Sequence, residues 1–236
     1  MSHFHRELVE CPYCFNEEEI VIWDSVDAGL DPDLKEKILQ KDLQNFYCQN
    51  CNRVYLLEKP FFYIDRGQKL IFYYSPGHGD FNKEESRQAN GSLREDLASE
   101  LPTDFAFPLE GFRLRLVSSY NHLIEKIHIF DEGSNDRIIE VVKVALDQRI
   151  RQDQKIRSQE SEPDLPLDLL FLSQAQNQLI FQFLKEDGQW DQVALEEQVY
   201  KQALALLESF LPEEGAWDIV DRTYAGLLSH YASESL

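Results

Sequence analysis

The sequence is short of basic charge. Its 236 residues hold 23 Lys plus Arg against 43 Asp plus Glu, a formal charge of −20 with His neutral. The deficit runs the whole length: residues 1–80 hold 8 basic and 14 acidic side chains, 81–165 hold 12 and 17, and 166–236 hold 3 and 12. Binding a nucleic-acid backbone by counterion release needs clustered Lys and Arg. Direct nucleic-acid binding is therefore disfavoured, and so is an anionic membrane surface. No run of about 18 apolar residues occurs, so no transmembrane helix is expected. Met1–Glu10 has no apolar stretch of the signal-peptide kind, and the expected location is cytoplasmic. A Gly-rich phosphate loop, a nucleophile elbow and a repeat at fixed period are also lacking. The His residues are scattered: His3 and His5 in a terminus expected to be floppy, His78 in a loop, His122 and His128 on one helix, His230 near the end.

What is present is ordinary globular material. Hydrophobic residues make up 43%, aromatics 12% and charged residues 28%, enough apolar bulk for a sizeable core. The cysteines carry more information. There are 4 of them, Cys11 and Cys14 in Cys-Pro-Tyr-Cys, Cys48 and Cys51 in Cys-Gln-Asn-Cys. Two Cys-x-x-Cys pairs with none left over point to a tetrahedral zinc site with four thiolate ligands. The two-residue spacer lets one tight turn aim two sulfurs at one ion, about 2.3 Å away. A thioredoxin-type redox site wants one reactive pair opening a helix after a strand. Two disulfides are the other alternative, and a cytosolic setting weighs against them. A four-thiolate shell leaves no open coordination position, so the zinc is expected to be structural. Such knuckle turns usually need a positive φ just past the second Cys. Asn16 and Asn52 are the residues expected to supply it, and Phe15, directly after Cys14, is less expected there.

The expected fold class is α+β: a zinc-ribbon-like N-terminal module with a helical insertion, β-hairpins, and an αα-hairpin plus C-terminal helices. Residues 19–26 read as a strand and Asp31–Leu39 as a short helix, with Asp31 as N-cap and Pro32 in the first turn. Residues 53–58 read as another strand. Phe61–Asp65 and Lys69–Tyr74 flank a Gly turn and read as an aromatic hairpin; the aromatics are expected in a core and not as a base-stacking platform. Ser75, His78 and Asp80 carry the side-chain types of a hydrolytic triad within one loop, but a triad is defined by spatial roles. Residues 82–104 are polar, and Ser92–Glu95 offers a weak capping box. Residues 112–118 alternate as a strand. Leu123, Ile127 and Phe130, then Ile139, Val142, Leu146 and Ile150, recur at helical spacing on either side of a break at 131–135. His122 and His128, six apart, are poorly placed to chelate one ion together. Arg149, Arg151, Lys155 and Arg157 form the one basic run, read as a solvated helix end. Residues 158–166 read as a linker. Strands at 167–172 and 178–184 and helices over 195–210 and 217–231 complete the chain. The expected domains are 8–80, 105–157 and 166–236, the last two as one body or two.

The N-terminal part resembles the CpXC domain family of prokaryotes. The residues that carry the resemblance are Cys11-Pro12-Tyr13-Cys14, Trp23 with Ser25-Val26-Asp27, and Asp31 through Leu39. They continue with Phe46-Tyr47-Cys48-Gln49-Asn50-Cys51, Val54, Tyr63-Ile64-Asp65, Leu123 through Ile127 and Asp136 through Lys143. The resemblance covers residues 8–149. The second pair has Gln49 where the motif has Pro, and Phe15 and Asn52 stand where Gly usually follows such knuckles. Neither change removes a ligand. The resemblance implies a zinc-ribbon-like fold and supplies no catalytic residue.

The expected function is that of a zinc-stabilised, acidic cytoplasmic protein that binds a protein partner without catalysis, its acidity attracting basic surfaces. One alternative is an enzyme using scattered polar residues such as Asp136, Glu140 and Lys143, which helical spacing brings near one another. The same three also fit a salt-bridged helix face. The other alternative is an acidic mimic of nucleic acid.

Overall fold

The computed structural model of the protein describes residues 1–76, 97, 101, 109–158, 167–185 and 187–235. The expected loop of His78 and Asp80, the capping box at Ser92–Glu95 and nearly all of the linker at 158–166 lie outside the described residues. The fold is α+β. Contacts divide the chain into two compact units, Met1–Ile124 with Glu213–Ile219, and Glu125–Pro212 with Val220–Leu236. One helix passes from the first unit into the second, and a short C-terminal segment belongs to the first.

The first unit is built on a six-stranded mixed sheet. Its strands are β1 (His3–Glu10), β2 (Glu17–Asp27), β5 (Phe61–Asp65), β6 (Leu70–Tyr74), β7 (Arg113–Val117) and β11 (Trp217–Asp218), in the order β1-β2-β5-β6-β7-β11. β1 pairs with β2 and β5 with β6 antiparallel; β2 with β5, β6 with β7 and β7 with β11 run parallel. β5 and β6 lie in the middle, covered on both faces, which is why they read as unbroken apolar runs instead of alternating. Phe61, Phe62, Tyr63, Ile64, Leu70, Ile71, Phe72 and Tyr74 are all buried. Tyr63 sits opposite Phe72 with ring centroids 5.5 Å apart, nearly parallel. The aromatic stripe is thus core. On one face it packs with Leu97, Phe112, Leu114, Leu116 and Trp217. Arg115 is fully buried among these strands, held by both carboxylate oxygens of Glu214 at 3.2 and 3.3 Å.

Helix α1 (Pro32–Leu39) follows β2, with Leu34 and Ile38 turned inward. After it comes a two-stranded ribbon of β3 (Asn45–Tyr47) and β4 (Val54–Leu56). The floppy N-terminus expected from the sequence is instead strand β1, and His5 bonds Asp24 at 2.8 Å. Its apolar content is low, but β2 supplies a ready ladder.

The second unit combines helices with a three-stranded antiparallel sheet, β10-β9-β8, of β8 (Leu170–Ala175), β9 (Gln178–Leu184) and β10 (Trp190–Glu196). Helix α2 (Tyr120–Asp131) ends on Gly133 at φ 70°, with Gly133 N–H to Phe130 O and Ser134 N–H to Ile129 O, the paired bonds of a glycine stop. Asn135 then caps helix α3 (Asp136–Ser158) by accepting from Arg137 N–H. Helix α4 (Glu197–Leu207) and helix α5 (Arg222–Ser235) pack on α3. Ile138, Ile139, Val142, Leu146, Phe171 and Phe181 make much of the core. Two sequence expectations shift here. Residues 195–196 finish β10 before the helix starts, because Leu195 pairs across from Leu179. Trp217 belongs to β11 and not to the last helix, because its indole fills the first unit's core.

Candidate metal centre

Each cysteine pair sits at the tip of a hairpin. Cys11 and Cys14 lie between β1 and β2, Cys48 and Cys51 between β3 and β4. The two turns are copies of one another. Cys11 N–H donates to Asn16 O and Phe15 N–H to Cys11 O; Cys48 N–H donates to Arg53 O and Asn52 N–H to Cys48 O, all at 2.9–3.0 Å. The residue that takes the positive φ is the one directly after the second cysteine in both turns, Phe15 at 59° and Asn52 at 56°. Asn16, expected to take that role, does not have it. The bond pattern fixes the strained position, and the first turn holds it with a bulky side chain.

The turns bring the four sulfurs together. Cys11 Sγ lies 3.7 Å from Cys51 Sγ and Cys14 Sγ 3.5 Å from Cys48 Sγ. All four lie within 4.8 Å of one another. A tetrahedron with metal–sulfur bonds of 2.3 Å has sulfur edges of about 3.8 Å, so the donor set fits a metal ion held by sulfur alone. None of the cysteines forms a disulfide. Phe46, Val9, Ile20, Tyr55 and Leu57 pack around the cluster, in which Cys11 and Cys48 are buried and Cys14 and Cys51 half-buried. Hydrogen bonds from the Asn50 side chain and the Asn16 backbone draw the Cys14 thiol down to about 6, whereas desolvation pushes Cys48 up to about 12. Metal uptake needs thiolates and displaces the remaining protons.

A carboxylate joins the two turns. Glu18 Oε1 accepts from Asn16 Nδ2 at 2.9 Å and from Gln49 N–H at 2.8 Å. Glu18 lies just outside the strand expected over residues 19–26. Its signal was parity: it shares the face of Ile20 and Ile22 along β2, while Glu17 and Glu19 point to water.

The other candidates distribute as follows. Asp136, Glu140 and Lys143 are all buried, but not as one trio. Lys143 Nζ bonds Glu125 at 2.9 Å and Glu140 at 2.9 Å, and Glu125 also takes the Phe171 N–H at 2.7 Å. Asp136 pairs with Lys126 at 3.0 Å, and Lys126 also donates to Val220 O. Burial pushes the Glu140 carboxyl up against the opposing pull of Lys143. From the basic run, Arg151 Nε bonds Asp147, which Arg222 also holds. Ser75 is buried beside β7, its N–H on Val117 O.

These features define a class: an α+β protein whose two cysteine knuckles, one on each of two β-ribbons, bring four sulfurs together in a geometry that could hold a metal ion. The chain belongs to the CpXC family, whose model, described as CpXC protein, matches residues 9–143. That span begins just before the first knuckle and ends at Lys143, close to the 8–149 over which the sequence resembles the family. No curated protein and no solved structure matches the chain. No helix among the described residues is long and apolar enough to cross a membrane.

Proposed function

We propose that the protein is a zinc-stapled cytoplasmic module that acts by binding another protein, with Cys11, Cys14, Cys48 and Cys51 as the ligands and no turnover of its own. The carrying observation is the donor set: four cysteine sulfurs from two matched hairpin tips, at tetrahedral spacing. Sulfur-only tetrahedral shells suit zinc, and four protein ligands leave no position for a substrate or an activated water. The cluster therefore supports a structural role, closing two ribbons that have little core of their own. The enzyme alternative loses support from the engagement of its candidates, since Asp136, Glu140 and Lys143 are each committed to buried ion pairs. The charge of −20 favours a cationic protein partner.

Two measurements test this reading. Native mass spectrometry of protein purified without chelators should show one zinc per chain, and a metal-free or iron-bearing protein would overturn the assignment. Affinity capture from the host should return a stoichiometric protein whose retention falls as salt rises. A retention indifferent to salt, or a turnover removed by Glu140→Gln, would refute the binding role.

A further inference from the structure

Strand β1 stands at the end of the six-stranded sheet, and among the described residues no strand pairs with its outer edge. Its hydrogen-bond parity follows from the knuckle. Cys11 N–H donates to Asn16 O, so in an antiparallel ladder the bonded pairs continue at Val9/Glu18 and Glu7/Ile20. The residues between them, Glu10, Leu8 and Arg6, turn their N–H and C=O groups outward. Glu10 verifies the parity, because its carbonyl is taken by the Tyr55 hydroxyl at 3.1 Å and not by β2. That contact closes the knuckle end of the edge. Further along, Arg6 and Leu8 present a row of donors and acceptors that no backbone group among the described residues takes up.

Leu8 lines an apolar stretch of one face with Phe4 of the same strand and Val21 and Trp23 of β2, beside the Arg6–Glu19 ion pair. Phe4, Leu8 and Val21 are exposed to 54%, 61% and 37%. Phe4 stacks edge-on against Trp23 across the ladder, with centroids 5.3 Å apart. The opposite face of the ribbon carries Val9, Ile20 and Ile22 and the ion pair of Glu7 with Lys59. Edge strands of this length are normally blunted by lysine, proline or a covering element; this one has Arg6 alone, and Arg6 is engaged by Glu19 at 3.1 Å. The surrounding charge is strongly of one sign, since residues 3–27 hold seven Asp and Glu against a single Arg.

We infer that the outer edge of β1, centred on Arg6 and Leu8, accepts an extended Lys- or Arg-bearing segment of a partner protein as an additional strand. Main-chain bonds to Arg6 and Leu8 supply the register, the Phe4–Trp23–Val21–Leu8 face takes the partner's apolar side chains at alternate positions, and the cations between them fall on the opposite face, beside the carboxylates of Glu7 and Asp24. A second copy of the chain is disfavoured as occupant by −20 on each molecule. The inference rests on the reading that the protein acts by protein binding, and names the surface and the chemistry it selects.

The test uses the full-length, metal-loaded protein and a defined probe, the acetylated, amidated heptapeptide Lys-Val-Lys-Val-Lys-Val-Lys, with the Glu-for-Lys peptide as control. Amide exchange at Arg6 and Leu8 should be fast in the free protein and slow by tenfold or more with the lysine peptide, and stay fast with the control. Leu8→Pro removes an outward donor without touching the β1–β2 ladder and should abolish the protection. If that variant does not fold, the double change Phe4→Lys with Leu8→Lys, at two exposed positions, should weaken the peptide by at least tenfold. Protection that is absent, that falls elsewhere, that survives these substitutions, or that arises with protein concentration alone would overturn the inference. A captured host partner that still binds Leu8→Pro would refute strand addition while leaving the protein-binding role standing; a host that yields no partner at all would refute the role itself.

Discussion

Lys143→Met separates a structural reading of the second unit's buried charges from a catalytic one. In the native protein one ammonium serves two carboxylates, Glu125 and Glu140, that are 2% and 4% exposed. Methionine fills a similar volume but leaves two anions facing each other with no cation bonded to either, Lys126 acting on Glu140 only through space. Removing one partner of a buried ionic group costs about 3–5 kcal/mol, set against a total of about 5–15 kcal/mol for a typical domain. For a chain of this size about 2–4 °C follows from each kcal/mol, so the transition that reports the second unit should fall by about 6–20 °C. The loss should also depend on pH in a known direction. Burial already holds the Glu140 carboxyl above its ordinary range while Lys143 opposes it. Without Lys143 the folded state binds a proton that the unfolded chain releases, so the variant gains stability relative to wild type as pH falls and loses it as pH rises. Adding Glu125→Gln and Glu140→Gln should recover most of the loss, because the amide oxygen that replaces the Glu125 carboxylate can still accept the Phe171 N–H. Thermal melts between pH 5 and 8, read by near-ultraviolet dichroism, measure wild type, the single variant and the triple variant. A Lys143→Met protein within about 1 kcal/mol of wild type, or a triple variant no better than the single one, would refute the account.

Three further outcomes are expected. Cys48→Ser should lose the metal and unfold the two knuckle ribbons, since zinc in such sites contributes about 10–16 kcal/mol at neutral pH; metal analysis and exchange of the amides in residues 3–27 and 45–56 check it. Phe15→Gly should stabilise the metal-loaded protein by about 1 kcal/mol, because Phe15 holds φ 59° at 71% exposure and the left-handed region costs a non-glycine residue about that much; a destabilised variant in chemical denaturation would show that the ring makes a needed contact. Asp147 is buried, which alone would raise its carboxyl, but Arg151, Arg222 and the Leu167 N–H hold it below the ordinary range. Its contribution is therefore present above about pH 4 and lost as pH falls through the lowered value, so the stability gap between wild type and Asp147→Asn should be flat near neutrality and close in acid.

Local pattern carried the knuckles, the hairpin at residues 61–74 and the helices over 120–150. The cysteine spacing announced the four sulfurs, and helical periodicity announced α2 and α3 on both sides of the Gly133–Asn135 break. What the sequence determined by itself were features whose bonds close within a few residues: turns, caps and amphipathic runs. The positive φ at Phe15 escaped because propensity favours Asn16, while the turn's bond from Phe15 N–H to Cys11 O fixes the position regardless of preference. Strand β1 escaped for a related reason. His3–Glu10 has weak apolar alternation, and the partner that makes it a strand, β2, begins seven residues later. Only the tertiary structure decided that Trp217 closes the first unit's core after a long excursion of the chain, that Glu18 ties one knuckle to the other, and that Lys143 turns to Glu125 while Asp136 turns to Lys126. Each of these joins residues distant in sequence through burial or a charge–charge contact. Such choices are made by desolvation, which forces every buried charge to find a partner, and linear spacing holds no record of which partner is nearest.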